Sequence, residues 1–122
     1  MKSSGKKILV IDDDAKHLLT VKEILETEGH AIYTHNQPFG STHLAKILKP
    51  DLILLDVNMP GLSGDTLSKL MRFHTNAPIV FYSSNDEDSL RQMVRFHNVR
   101  GYICKGDTYG LREKVADFLS RN

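Results

Sequence analysis

One cysteine, Cys104, stands in 122 residues, so no disulfide can close within the chain, and that usage fits a reducing compartment. No run approaches the roughly 20 apolar residues of a membrane span. The opening Met-Lys-Ser-Ser-Gly leads into no apolar signal core. The expectation is a cytoplasmic protein without a membrane role. An excess of one charge is also missing: sixteen Lys and Arg face fifteen Asp and Glu, a formal net charge of +1. No global field then draws in nucleic acid or an anionic surface, so direct nucleic-acid binding is not expected and partners must be met through local surfaces. The six histidines are scattered, with no pair at a metal-ligating spacing. Internal repeats, low-complexity tracts and linkers are absent, and the length suits one domain over residues 1–122, with 1–5 as a flexible start and 6–119 as its core.

What the chain does have is acid placed where apolar runs stop. Lys-Lys-Ile-Leu-Val-Ile ends at Asp12, Asp13 and Asp14, and Leu-Ile-Leu-Leu ends at Asp56. If two such segments are neighbouring buried strands, their carboxylates meet at one rim and require a cation. Mg²⁺ suits this chemistry, since it takes a few carboxylate oxygens, a carbonyl and waters and leaves room for phosphate.

Five short apolar, β-branched runs recur at Lys7 to Ile11, Ala31 to His35, Leu52 to Leu55, Ile79 to Ser83 and Gly101 to Cys104. Lacking polar alternation, they read as strands covered on both faces. Helical spacing fills the gaps. Leu18, Val21 and Leu25 share a face, as do Leu44, Ile47 and Leu48; then Leu67, Leu70 and Met71; Leu90, Met93 and Val94; and Leu111, Val115, Phe118 and Leu119. Gly29, Pro50 and Ala77-Pro78 punctuate the boundaries. Five alternating βα units predict an α/β, doubly wound, flavodoxin-like fold. The acid on runs one and three makes them neighbours in a parallel sheet of order 2-1-3-4-5.

Ile-Leu-Val-Ile-Asp-Asp-Asp, Asp-Leu-Ile-Leu-Leu-Asp-Val-Asn-Met-Pro-Gly-Leu-Ser-Gly, Pro-Ile-Val-Phe-Tyr-Ser-Ser and Gly-Tyr-Ile-Cys-Lys stand in this order along the chain. From about Lys6 to Leu119 the sequence resembles the CheY-like response-regulator receiver domains of two-component phosphorelay signalling. The resemblance implies that Asp56 is the phosphoacceptor, Asp12 and Asp13 the acidic pair, Ser83 the switch hydroxyl, Tyr102 the switch aromatic and Lys105 the active-site lysine. It further implies Mg²⁺, with Mn²⁺ or Ca²⁺ able to substitute. Asp13 would bind it directly, Asp12 mainly through water, with the Asp56 carboxylate and the Asn58 backbone carbonyl as further ligands. Asp14 would cap the first helix. Lys105, the Ser83 hydroxyl and the Ser84 backbone amide would meet the phosphoryl oxygens, while Asn58 and Asn85 would flank the path of the hydrolytic water and tune phosphoryl lifetime.

On this reading the donor is a sensor histidine kinase or a phosphotransfer protein. The recipient of the signal is a downstream effector or a fused output domain beyond Asn122. Dimerisation through the fourth helix, fifth strand and fifth helix is an arrangement the resemblance allows. Enzymatic activity is expected only toward the domain's own phosphorylation and dephosphorylation. One departure is plain: where the family's lysine is usually followed by a cis-proline, this chain has Gly106, which leaves the reach of Lys105 and the shape of its loop open. The competing reading is a receiver-like interaction module that works without phosphorylation; retention of Asp12, Asp13, Asp56, Ser83 and Lys105 weighs against it. A flavin carrier would want a hydroxyl- and glycine-rich cradle in the first loop. A haloacid-dehalogenase-type phosphatase would want a second Asp where Asn58 stands. His17 is read as a solvated residue of the first helix and Cys104 as core.

Overall fold

In a computed structural model, residues 5–97 and 99–121 are described. Of the predicted flexible start, residues 1–4 lie outside that range, as does Asn122. Strand and helix alternate five times: β1 (Lys7–Ile11), α1 (Ala15–Glu26), β2 (Ala31–His35), α2 (Ser41–Leu48), β3 (Leu52–Leu55), α3 (Gly64–Met71), β4 (Ile79–Ser83), α4 (Glu87–His97), β5 (Gly101–Cys104) and α5 (Thr108–Ser120). The five strands are parallel in the order β2-β1-β3-β4-β5, the topology the paired acidic strand ends predicted.

Period-two alternation divides the strands' side chains between two layers. Ile8, Val10, Leu52, Leu54, Val80 and Ile103 point to the side covered by α1 and α5, where they meet Leu18, Val21, Leu25, Leu111, Val115 and Phe118. Leu9, Ile11, Ile53, Leu55 and Phe81 point to the other, against Ala45 of α2, Leu67 and Met71 of α3, and Leu90 of α4. Because β1, β3 and β4 are buried along both faces, their sequences carry no polar alternation.

Two predicted core positions turn outward. Ile47 is 62% exposed and Leu70 is 42% exposed. On α2 the buried line is Ser41 and Ala45, so Ile47, two residues past Ala45 and roughly 200° around the helix, faces solvent. On α3 the inward arc runs Gly64, Leu67, Ser68 and Met71, and Leu70 falls beside it.

The ladder continues one step past the strand ends. Asp12 N–H donates to the His35 carbonyl at 3.1 Å, Asp56 N–H to Ile11 at 2.9 Å and Lys105 N–H to Ser83 at 2.9 Å. Ile11 and Leu55 are register partners. The next residues, Asp12 and Asp56, therefore leave the sheet side by side at its carboxyl edge.

Candidate functional site

At that edge, Asp12, Asp13 and Asp56 bring one carboxylate oxygen each within 4.8 Å of one another. Asp12 is fully buried and Asp56 is 3% exposed, whereas Asp13 is exposed. Asp12 Oδ1 accepts from the Asp14 N–H at 2.9 Å, and Asp56 Oδ1 accepts from the Asn58 N–H at 3.2 Å. Lys105 Nζ lies 2.8 Å from Asp12 Oδ2 and 3.4 Å from Asp56 Oδ1. Asp12 Oδ2 makes that close ionic contact without an aligned hydrogen bond. A buried carboxylate oxygen in this condition, facing a second buried carboxylate and an exposed third, suits a hard divalent cation.

The electrostatics agree. Burial pushes the Asp56 carboxyl up to about 6; Lys105 opposes this and the charge of Asp12 adds to it. One lysine does not neutralise two buried carboxylates, so the site favours taking up a proton or a cation.

Ser83, fully buried at the end of β4, accepts through Oγ from the Asn85 N–H at 3.1 Å and from Asn58 Nδ2 at 3.4 Å. Asn58 Nδ2 also donates to Asn85 Oδ1 at 2.6 Å. The two asparagines are thus joined to each other and to the serine between them. Ser84 follows, exposed, in the loop after β4. Tyr102, half-buried on β5, directs its hydroxyl to Glu87 Oε1 at 2.7 Å on α4. That bond holds the phenol proton and raises its pKa. Cys104 is half-buried and packs against the core layer on the α2–α3–α4 side of the sheet.

The loop after β5 resolves the open question about Lys105. No peptide bond among the described residues is cis, and Gly106 has φ +93°. Proline, fixed near −65°, cannot take that angle, and a side chain there is strained. The loop therefore needs glycine at this position, and Lys105 reaches both buried carboxylates.

His17 differs from its sequence reading. Rather than standing clear in solvent, it is half-exposed with Nδ1 3.4 Å from Asp14 Oδ2 and 3.5 Å from Asp12 Oδ2. The signal was available in the i, i+3 spacing of Asp14 and His17 on the first turn of α1. Asp14 is the helix cap, accepting from the Lys16 N–H at 2.9 Å.

A parallel sheet of order 2-1-3-4-5 with a carboxylate cluster and a lysine at its carboxyl edge defines a flavodoxin-like domain of the receiver type. Comparison with known proteins carries this to the family: residues 8–116 match the family described as response regulator receiver domain, and the chain belongs to it. It is 38% identical over 82 residues to the cell cycle transcriptional regulator CtrA of Caulobacter vibrioides, covering 66% of this chain and 36% of that protein. It is 33% identical over 112 residues to the nisin biosynthesis regulatory protein NisR of Lactococcus lactis subsp. lactis, covering 90% of this chain and 47% of that protein. The chain thus spans between about a third and a half of these relatives. Among solved structures, a two-component response regulator from Clostridium difficile superposes with a TM-score of 0.82 at 30% identity, over 95% of this chain and 97% of that one. Among the described residues, no helix is long and apolar enough to cross a membrane.

Proposed function

We propose that this chain is a phosphoacceptor: a histidine kinase or phosphotransfer protein passes a phosphoryl group to Asp56, and the modified domain controls a partner or an output domain. The observation that carries this is the Asp12–Asp56–Lys105 arrangement, two buried carboxylates bridged by one lysine with Asp13 open beside them. Asp56 Oδ would attack phosphorus in line as the nitrogen–phosphorus bond of the donor phosphohistidine breaks, and the imidazole leaves with the electron pair. Lys105 would swing from Asp12 to a phosphoryl oxygen. The Ser83 hydroxyl and the Ser84 N–H would meet others.

Asp12, Asp13, the Asp56 carboxylate and the Asn58 carbonyl would hold Mg²⁺, or Mn²⁺ or Ca²⁺ in its stead. When bound, such an ion supplies charge neutralisation to the carboxylates and the phosphoryl group.

Phosphorylation takes the Asp56 side chain from about −1 to nearly −2 and adds acceptor oxygens. Ser83, an acceptor for two N–H groups at rest, still has its own proton to donate to them. Its movement would open space for Tyr102 to leave Glu87 and turn inward, changing the α4–β5–α5 face. A shift of this kind needs only a few kcal/mol of differential contact. Asn58 and Asn85 would set how readily water reaches the phosphoryl group.

On this proposal the protein works in the cytoplasm, as one receiver domain over residues 6–119. Its chemistry is confined to its own phosphorylation and dephosphorylation. The test is intact mass after incubation with acetyl phosphate and Mg²⁺, beside an Asp56→Asn control. A Mg²⁺-dependent gain of one phosphoryl unit that the control lacks supports the reading. No gain from acetyl phosphate or from phosphoramidate, in a folded protein, overturns it in favour of a phosphorylation-independent module.

A further inference from the structure

We infer that the surface formed by the last turns of α3 and α4 binds single-stranded nucleic acid, stacking bases on Phe73 and Phe96 and holding phosphates with Lys69, Arg72 and Arg95. The inference goes beyond the phosphoacceptor reading and uses none of its residues. The tripeptide Arg-Phe-His occurs twice, at residues 72–74 and 95–97, where α3 and α4 end. Phe73 is 84% exposed and Phe96 is 80% exposed, more than any other large apolar side chain among the described residues. No Asp or Glu occurs from Thr66 to Asn85 or from Ser89 to Gly106. The net charge of +1, which gave no reason to expect nucleic acid, therefore conceals a local positive field.

The two helix ends form one surface. Lys69 Nζ lies 6.0 Å from the centre of the Phe96 ring, so α3 reaches across to α4. Phe73 follows Lys69 by four residues, one turn on, and its N–H donates to the Leu70 carbonyl at 3.1 Å, which continues the turn past Met71. Phe96 faces out because His97 takes the inward position beside it. The His97 ring meets Phe81 edge-on at 6.4 Å, and its Nε2 lies 3.6 Å from Asp65 Oδ2. Among the described residues, Lys69, Arg72 and Arg95 have no carboxylate at ion-pair distance. Arg72 is anchored by a bond from Nη2 to the Ala77 carbonyl at 2.6 Å, and with Asn76 and Arg100 it lines a cavity of about 380 Å³. Burial and the charge of Arg100 lower the pKa of Arg72, a strain that an anion in the cavity relieves.

Cations at helix C-termini are ordinary, since they complement the helix dipole. The exposed rings beside them are not, because a phenylalanine left in water forgoes the gain of burial. A flat apolar face next to an unanswered cation matches a base and its phosphate, the combination that holds unpaired strands. A duplex keeps its bases stacked inside and offers nothing to the rings. An acidic peptide would want a pocket for its apolar anchor, whereas these rings stand out from the surface. An anionic bilayer would use the cations, but two rings and the half-exposed Leu70 are less apolar surface than an interfacial helix buries. A second copy related by a two-fold axis would set like charge against like.

The test uses the full chain and a fluorescein-labelled oligouridine of about 12 nucleotides, within the site sizes of single-strand binders. The same strand in a duplex, a glutamate-rich peptide with one phenylalanine, and phosphatidylglycerol vesicles are measured beside it. Fluorescence anisotropy should show that the single strand binds most tightly and that its binding weakens with salt. Phe73→Ser/Phe96→Ser should lower the affinity at least about tenfold while the salt dependence stays as it was. Lys69→Gln/Arg95→Gln should flatten the slope of log affinity against log salt by about 1.4, two phosphate contacts at about 0.7 each on a single strand. All four side chains are exposed, so thermal unfolding of both variants should match the parent. No binding at low salt, a duplex held as tightly as the single strand, or tighter binding of the peptide or the vesicles would each overturn the inference. Undiminished binding by the phenylalanine variant, or an unchanged slope in the cation variant, would do the same.

Discussion

Lys105 Nζ lies 2.8 Å from Asp12 Oδ2, an ion pair between side chains that are 9% and 1% exposed. Its distance to Asp56 is longer, at 3.4 Å. In the resting arrangement the lysine is therefore held mainly by the carboxylate of the acidic pair and only secondarily by the proposed acceptor. Asp12 and Asp13 would hold a cation beside this pair, whose charge would weaken the Lys105–Asp12 contact and leave the ammonium able to follow charge arriving on Asp56. The lysine and the cation would compete for Asp12 and then cooperate on the phosphoryl group.

Lys105→Met keeps most of the apolar bulk and leaves two buried carboxylates unpaired. Breaking a buried pair from one side costs about 3–5 kcal/mol, and protonation of Asp56 relieves part of it. In chelator at pH 7.5 the urea midpoint should drop by an amount equivalent to about 2–4 kcal/mol. Added Mg²⁺ should recover much of the loss, and phosphoryl uptake should be abolished. A variant as stable as the parent in chelator would show that the ion pair contributes nothing net.

The Asp56 carboxyl, raised from 3.8 to about 6 by burial, ties stability to pH with a definite sign. Between these two values the folded state binds more protons than the unfolded state, so stability falls as pH rises through that window and stays low above it. The cost above the window is on the order of 3 kcal/mol. Asp56→Asn removes it, so in chelator this variant should be the more stable protein at pH 7.5, with the gap closing toward pH 4. Denaturant titrations at the two pH values check this, and a gap that widens toward acid would reverse the assignment.

Asn58 and Asn85 act through one bond, Nδ2 to Oδ1 at 2.6 Å, and both reach Ser83. If that bridge governs the approach of water to the phosphoryl group, Asn58→Ala and Asn85→Ala should each change the hydrolysis rate by a similar factor. The double variant should add little to either, because residues sharing one contact are not additive. The decay of the phosphorylated mass with time measures all three. Two independent, multiplying effects would mean that the residues act separately.

Most of the architecture was legible because its causes are local. β1, β3 and β4 are continuous apolar runs since they are covered on both faces, and α1 and α5 bury the residues their spacing places on one side. Asp12 and Asp56 could be paired in advance because parallel register makes strand ends neighbours. What failed depended on where a short helix sits over the sheet: Ile47 and Leu70 satisfy an apolar spacing but miss the inward arc of two eight-residue helices. The backbone of the Gly106 loop was not legible, since a glycine permits both signs of φ and only the fold selects one. The Asn58–Asn85 bond joins residues 27 apart in the sequence. No local pattern encodes such a contact, although the family resemblance points to both residues.

Gly64 opens α3 directly against the end of β3, its N–H donating to the Val57 carbonyl at 2.9 Å. A Cβ built there would stand 2.0 Å from the Asp56 carbonyl oxygen. Backbone cannot yield as the end of a flexible side chain can, so Gly64→Ala must push α3 away from the strand or displace Asp56 and the Asn58 carbonyl that follows. Overpacking of this kind costs about 1–3 kcal/mol. Stability alone does not reveal which of the two moved. Val115→Ala, on the opposite face of the sheet among α5 contacts, should cost about 2 kcal/mol through its cavity while leaving the carboxyl edge in place. At equal stability, phosphoryl uptake from acetyl phosphate should be slowed in Gly64→Ala and near normal in Val115→Ala. If both take up phosphoryl groups equally fast, α3 has moved as a body and the position of Asp56 is fixed by the sheet alone, through its bond to Ile11.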